Sequence, residues 1–290
     1  MAAAQGVKSR LLVNLALLAA LIALGLYAYL RPKPEPSPGI AVSQLKRDQV
    51  DRIRLERRGA VPIELARREG GWQMLAPFKS RADRFQIDRL LDISAATSKQ
   101  KLPAAQLQRY GLAPATVTVT LNDQPFAFGA LNEVTNEQYL ASGDAVYLVA
   151  PYLGYGIPPD ATRLLSHRLL GEGETPVAFD FGRWKAAKDD SGKWSITGSP
   201  PKTEAPSPDD LNRWADEWTL ASGLSVEPHK GARRGDKVTV TLRGGKAVPF
   251  LVLSRAPEVV LLRADEDMRY RLGADAGTRL LDPWTAAAKK

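Results

Sequence analysis

The chain has 290 residues, of which 44% are hydrophobic and 25% charged, with 40 Lys and Arg against 32 Asp and Glu, two His and no Cys. This composition is typical of a globular protein and excludes a disordered chain, a collagen and a multi-span transporter. The lack of Cys excludes disulfides, thiolate metal sites and a cysteine nucleophile, and two distant His argue against a His-built metal centre.

An apolar run occupies residues 11–30, which contain no charged side chain and only one strongly polar one, Asn14. As a helix, this run spans about 30 Å, the thickness of the hydrocarbon core of a bilayer. Tyr27 and Tyr29 stand near one end, and no clean A-x-A cleavage pattern follows. The run therefore predicts an uncleaved, single-pass transmembrane helix over 11–30, with a cleaved signal peptide as the alternative.

The basic residues that flank this run are balanced, with Lys8 and Arg10 before it and Arg31 and Lys33 after it. The α-amino group adds one positive charge to the short N-terminal flank, which favours the cytoplasm for residues 1–10. We therefore expect a protein of the bacterial inner membrane whose N-terminus is cytoplasmic and whose remaining domains are periplasmic.

A proline-rich segment follows at residues 31–38, with proline at every second position. These prolines exclude a helix and remove backbone donors. The segment predicts a polyproline-like stalk of about 20–25 Å, at about 3.1 Å per residue.

The rest of the chain contains an internal repeat. The strand pattern Val117–Leu121 recurs identically as Val238–Leu242, and the neighbouring strand and helix patterns follow in the same order at a nearly constant spacing. The repeat predicts two tandem, duplicated domains, over 39–172 and 173–290, with the boundary near residues 171–176.

Each half is predicted to be α+β, with a mainly antiparallel sheet packed by one principal helix. The strands show alternation of apolar and polar residues, and Asn122-Asp123 and Gly244-Gly245 supply hairpin turns. Asp83 with Gln86 predicts the start of the helix in the first half, and Ser207 with Asp210 predicts that in the second.

Two further helices are predicted. One runs from Pro103 to Tyr110 and ends at Gly111 in a left-handed C-cap, over which Leu112 closes. The other covers residues 160–170, where His167 lies in an amphipathic pattern typical of a surface or a hydrogen-bonded histidine.

Motifs of catalysis are weak in this sequence. Two Ser-x-x-Lys matches, at Ser43–Lys46 and Ser199–Lys202, lack the other motifs of serine acyl-enzymes, and two prolines bar a helix in the second. Carboxylates cluster at residues 189–190, 209–210 and 265–267, where solvated turns or helix caps are expected. The alternative is acid/base work on a glycan, for which two acids must face each other across the substrate.

Binding signals are equally general. His229 opens a basic segment, 229–237, read as a solvated loop, with contact to lipid phosphates or an acidic partner as the alternative. Trp214 and Trp218 lie on one helical face, as core residues or as anchors of an interface. The positive charge is modest and spread along the chain, which argues against nucleic acid as a partner.

Several segments resemble the bacterial membrane-anchored family catalogued as domain of unknown function 4340. The resemblance lies in Gly71–Pro77, in Ala82-Asp83 with Leu90-Leu91, in Leu107–Leu112 with Pro114, and in Ala145–Val149. It covers most of the chain and is stronger in the first half. Members are often encoded beside gliding-type ABC transporter components, which implies an accessory role at the cell envelope; the resemblance implies no catalytic residue.

The leading hypothesis is therefore a non-enzymatic, membrane-anchored accessory or scaffold protein of the cell envelope, an extracytoplasmic partner of an ABC-type transporter complex. The alternatives are an envelope protein that binds glycans or cleaves them with carboxylates, and a bitopic scaffold of a secretion or division machine. No residue is assigned a catalytic, cofactor-binding or metal-binding role, and no cofactor is expected.

Overall fold

The computed structural model describes residues 15–27, 39–198 and 205–284. They belong to two compact units, residues 1–40 and 41–290. In the first unit, residues 15–27 are helical (α1), and every side chain of this helix is exposed.

The predicted transmembrane span of 11–30 extends beyond the described residues at both ends, and the predicted stalk of 31–38 lies wholly outside them. In the part of the chain that the structure describes, no helix has the length and apolar character needed to cross a membrane.

Strands β1 to β11 and two helices come next along the chain. The strands are β1 (Ile40–Ala41), β2 (Arg52–Arg57), β3 (Ile63–Arg68), β4 (Gly71–Ala76), β5 (Ser80–Arg81), β6 (Thr97–Ser98), β7 (Lys101–Pro103), β8 (Val117–Leu121), β9 (Gln124–Asn132), β10 (Glu137–Ser142) and β11 (Ala145–Val149). The helices are α2 (Arg84–Leu91) and α3 (Tyr152–Tyr155). Short 3-10 helices cover Arg47–Gln49, Asp92–Ala95, Ala104–Tyr110 and Ala161–Leu164.

Eight strands and two helices follow. The strands are β12 (Pro176–Asp180), β13 (Trp184–Lys188), β14 (Trp194–Gly198), β15 (Ser225–Pro228), β16 (Asp236–Leu242), β17 (Ala247–Ser254), β18 (Val259–Arg263) and β19 (Met268–Leu272). The helices are α4 (Pro208–Leu220) and α5 (Ala274–Leu281).

Strands β1 and β6 form a two-stranded sheet, and the other strands form two large sheets with a common order. The first sheet is β5-β4-β3-β2-β8-β9-β10-β11-β7, and the second is β14-β13-β12-β16-β17-β18-β19-β15. Without the short edge strand β5, each sheet runs through its first three strands in reverse order and then through its last four in chain order. The final strand of each sheet, β7 or β15, lies in the sequence between the principal helix and those last four strands. The neighbouring pairs are antiparallel, so the α+β class with mainly antiparallel sheets is confirmed.

The repeated sequence occupies equivalent places in these sheets. Val117–Leu121 forms β8 beside β2, and Val238–Leu242 lies in β16 beside β12. In both copies the Val and Leu side chains are buried and the Thr side chains are half-buried, as the alternating pattern predicts. The hairpin turns also form as predicted, because Asn122, Gly244 and Gly245 adopt the positive φ that such turns need.

The two principal helices begin where their caps predict. The Asp83 carboxylate accepts a hydrogen bond from the backbone of Gln86 at 3.0 Å, and α2 buries Ile87, Leu90 and Leu91. Ser207 and Asp210 form a capping box at the start of α4. Helix α5 was not predicted; Gly277 lets it lie directly on β18, because a Cβ there would stand 2.3 Å from the Cβ of Val259.

The core of the second half is aromatic. The Phe179 ring lies between the indole rings of Trp194, Trp214 and Trp218, with centroid distances of 5.6, 4.5 and 5.4 Å. Trp214 and Trp218 are 1% and 0% exposed, and both indole nitrogens donate to the Leu280 carbonyl. These two tryptophans are therefore core residues and not anchors of an interface.

The prediction of a helix over residues 160–170 is wrong. Only the 3-10 helix Ala161–Leu164 forms, with Asp160 as its cap, and residues 165–170 beyond it are non-helical, with isolated β-bridges at Leu165 and Arg168. The reason is tertiary: Leu165 pairs with Ala82 of the first half and Arg168 pairs with Ser222 of the second, and a helix would withdraw these backbone groups. The segment Ala104–Tyr110 is a 3-10 helix interrupted at Gln106, and it ends at a left-handed Gly111 as predicted.

Candidate functional site

The chain passes from the first half to the second through residues 165–170, a non-helical run called here the connecting segment. Ser166 N donates to the Arg81 carbonyl at 3.0 Å, whereas Leu169 N donates to the Ala221 carbonyl at 3.0 Å and the His167 carbonyl accepts from Gly223 N at 2.8 Å. The connecting segment thus has backbone hydrogen bonds to both halves.

A buried group of charges lies behind this segment. Arg263, which is 1% exposed, donates to both carboxylate oxygens of Glu174, at 2.7 and 2.8 Å, and to the Leu169 carbonyl at 2.8 Å. Its Nε also donates to Asp265 at 3.0 Å. From the first half, Arg81 Nε donates to Glu266 at 2.5 Å. This network ties the edge strand β5 to the turn between β18 and β19.

The network shifts the proton equilibria of its members. Burial opposes ionisation of Glu174, but the hydrogen bonds from Arg263 and from Gly171 N outweigh it and lower the pKa of the carboxyl to about 2. Burial also opposes the charge on Arg263, yet Glu174, Glu266 and Asp265 hold its pKa above the ordinary value. Burial raises the pKa of Tyr270, whose hydroxyl accepts from Arg81 at 2.9 Å.

A cleft of about 760 Å³ opens beside this network, within the unit of residues 41–290. Its walls are the β3–β4 hairpin, strand β5, the first turns of α2 and the connecting segment. Five arginines line it: Arg67, Arg68, Arg81, Arg84 and Arg168. The acidic side chains in its lining are Asp83, Asp88 and Glu172. We call this feature the arginine cleft.

The acids of the arginine cleft already have partners. Asp83 caps α2, and Arg84 pairs with Glu172 at 3.0 Å and with Asp88 at 3.9 Å. The hydrogen bond to Glu172 and its charge raise the pKa of Arg84. The guanidinium of Arg67 lies over the Trp72 ring, 5.4 Å from its centroid.

Two arginines of the cleft differ from the others. Arg68 and Arg168 are exposed, and within residues 39–198 and 205–284 neither forms an ion pair with a carboxylate. Guanidinium groups of this kind bind carboxylates or phosphates through two parallel hydrogen bonds. The arrangement therefore suits an anionic ligand.

Sequence reasoning missed this cleft, because its arginines come from separate elements between residues 67 and 168. The doublet Arg67-Arg68 before a Gly-Gly turn was a visible signal. No local pattern indicated that Arg168 would lie near this doublet, since its position depends on the non-helical path of the connecting segment.

The carboxylate clusters lie apart from one another. Asp189 accepts from Ser191 and Lys193 N in the β13–β14 turn, and Asp210 belongs to the cap of α4. Asp265 and Glu266 pair with arginines of the buried network, and Asp267 pairs with Arg233 at 3.0 Å. Turn and cap positions were predicted for these acids; the buried ion network was not.

The other candidate residues have ordinary surroundings. Ser43 donates to Gln124 at 2.8 Å, and the second Ser-x-x-Lys match, at 199–202, lies outside the described residues. His167 Nδ1 lies 2.9 Å from the Gly223 carbonyl oxygen. Residues 230–237 of the basic loop are exposed. Among the described residues, no three His, Asp or Glu side chains are grouped so that they could hold a metal ion.

Comparison with known proteins gives one family. No curated protein and no solved structure matches the chain. Residues 72–231 match the family described as a domain of unknown function (DUF4340), which is more than half of the chain. The matched segment begins in β4, contains α2, the connecting segment and α4, and ends just after β15. The chain therefore belongs to this family.

Proposed function

We propose that this protein is a non-enzymatic accessory protein of the bacterial cell envelope, anchored in the inner membrane, that binds a membrane protein complex of the ABC-transporter type. The observation that supports a membrane anchor is the apolar surface of α1. Its large apolar side chains are 57–70% exposed and lie on all sides of the helix. A helix that is apolar all round requires an apolar environment on every face.

The sequence on both sides of α1, within the predicted span of 11–30, is also apolar, and residues 31–38 are the predicted proline-rich stalk. With the N-terminus in the cytoplasm, the body is periplasmic. The common strand order of the two sheets and their shared Val-Thr-Val-Thr-Leu strand support a duplication, with tandem domains over 39–172 and 173–290.

Binding is favoured over glycan cleavage by the state of the carboxylates. Cleavage needs two acids that face each other across a substrate. Asp189, Asp210 and Glu266 are instead engaged in a turn, a helix cap and an ion pair. An ABC-type partner rests on the association of the family with transporter genes; a bitopic scaffold of a secretion or division machine differs only in the identity of the partner.

Chemical cross-linking of the full chain in native membranes, followed by mass spectrometry, tests this function. We expect a membrane-complex protein to be joined to the body of the chain. Alkaline extraction should leave the chain in the membrane fraction, and protease added to spheroplasts should cut the body. Recovery of the chain alone, as a monomer in the soluble fraction, would contradict the proposal.

A further inference from the structure

We infer that the arginine cleft binds an acidic peptide segment in which carboxylates alternate with apolar side chains. The assignment of this segment to a membrane-complex partner rests on the proposed function. The chemistry of the cleft does not.

The charge of the cleft favours an acidic ligand. Its lining has five arginines and three acids, and two of the acids, Asp88 and Glu172, are paired with Arg84. Arg68 and Arg168, on different walls, have no ion pair with a carboxylate in the part of the chain that the structure describes. Arg68 donates only to the Arg67 carbonyl, at 3.4 Å. Two guanidinium groups on separate walls that lack a carboxylate partner can each take one carboxylate in a bidentate geometry.

The shape of the cleft favours an extended ligand over a single phosphate. The arginines come from four separate elements around a volume of about 760 Å³, which is far larger than one phosphate group needs. The N-terminus of α2 lies in the lining, but Asp83 already takes the N–H of Gln86, and its negative charge would repel a phosphate there.

The apolar side chains of the cleft favour a peptide. Phe85 is 68% exposed, although it lines a cavity rich in arginine. The Trp72 ring is half-buried beneath Arg67. Aromatic faces next to guanidinium groups accept aliphatic side chains while the arginines hold neighbouring carboxylates.

Fluorescence anisotropy tests the inference with the purified full-length chain in nanodiscs and a fluorescent peptide of alternating Glu and Leu. We expect saturable binding that weakens with added salt, and no binding of the matching Lys and Leu peptide. The double substitution Arg68→Gln/Arg168→Gln should weaken binding about tenfold.

The matched control is Arg234→Gln/Arg243→Gln, which removes the same charge from two exposed arginines outside the cleft. It should leave the affinity unchanged within about twofold. Phe85→Ala should weaken the Glu and Leu peptide and have no effect on a Glu and Ser peptide. Near-ultraviolet circular dichroism establishes that each variant is folded.

The inference would be overturned if the two double variants bound the peptide with equal affinity, or if inorganic phosphate at low concentration displaced the peptide. It would also be overturned if the cleft variant lost binding to phosphatidylglycerol vesicles but kept its binding to the peptide. The assay contains no partner protein, so it can fail while membrane cross-linking succeeds. That result would reject the acidic peptide as the ligand and leave the proposed function standing. If the peptide binds but cross-linking finds no membrane-complex protein, the proposed partner is rejected and the peptide-binding role of the cleft stands.

Discussion

Glu174 and Arg263 form a two-point ion pair across 89 residues of sequence, with oxygen–nitrogen distances of 2.7 and 2.8 Å. The guanidinium is 1% exposed, and the carboxylate side chain is 16% exposed. Asp265 and Glu266 are the other carboxylates beside this guanidinium. Glu174 follows the connecting segment, so this pair holds the junction of the two halves against the second sheet.

Substitution of Glu174 by Gln should lower the free energy of unfolding by about 3 kcal/mol, because it leaves a buried guanidinium short of one carboxylate. Urea denaturation at neutral pH measures this loss. Glu258→Gln is the control, since Glu258 pairs with Arg271 at 3.2 Å on the surface and should cost less than about 1 kcal/mol. Equal losses would show that the buried pair has no special weight.

The same ion pair, Glu174 with Arg263, should contribute to the pH dependence of the free energy of unfolding. Hydrogen bonding lowers the pKa of Glu174 from 4.5 to about 2, so the folded state binds the proton less readily than the unfolded state. The stabilisation is present above about pH 4.5 and disappears as the pH falls towards about 2, with a total of about 3 kcal/mol. Denaturation midpoints across this range should fall steeply for the wild type. A similar slope in Glu174→Gln would contradict this explanation.

The aromatic core predicts a large effect for Trp218→Ala. Its ring is fully buried, lies 5.6 Å from that of Phe250, and donates to the Leu280 carbonyl at 2.9 Å. We expect a loss of about 3–5 kcal/mol in thermal or urea unfolding. Trp72→Ala, at a half-buried ring of the cleft, should cost less than about 2 kcal/mol. The reverse order would place the core elsewhere.

The contact of α5 with β18 depends on Gly277. A Cβ at this position would overlap the Val259 side chain, so Gly277→Ala should destabilise the fold by about 1–3 kcal/mol, although alanine favours a helix. Thr278→Ala, at the next and exposed position, should change stability by less than about 0.5 kcal/mol. A stabilising effect of Gly277→Ala would mean that α5 does not rest on β18.

The capping box of α4 should be measurable as well. Ser207→Ala removes the acceptor of the Asp210 N–H and should cost about 1 kcal/mol. Asp209→Ala removes a charge from the same turn without removing the cap, and should cost about 0.3–0.5 kcal/mol. Equal costs would indicate that the charge, and not the cap, sets the start of the helix.

Sequence reasoning predicted what short-range patterns determine. The Asp83 and Ser207 caps, the left-handed Gly111 and the alternating strands depend on residues a few positions apart, and each formed as predicted. The prediction of a helix over residues 160–170 was wrong, although the sequence there is amphipathic. Backbone pairing to Ala82 and Ser222 outweighs the helical pattern. The amphipathic pattern indicates only that one side of the segment is buried, and a non-helical chain can bury one side as well.

The arginine cleft and the buried network could not be predicted for a related reason. Arg81 meets Glu266 across 185 residues, and no periodicity in either neighbourhood records that meeting. The sequence predicts a solvated turn for the carboxylates at 265–267, because the residues that bury and pair them, such as Arg81 for Glu266, lie far away in the sequence.

Site-specific photo-cross-linking in native membranes tests the central claim most directly. A photoreactive residue replaces Phe85 in the arginine cleft or, as the control, Val61 in the β2–β3 turn; both side chains are 68% exposed. We predict that the Phe85 position is joined to a membrane-complex protein and that the Val61 position is not. If neither position yields a membrane protein, or if both yield the same one, the claim that the cleft receives a membrane partner is wrong.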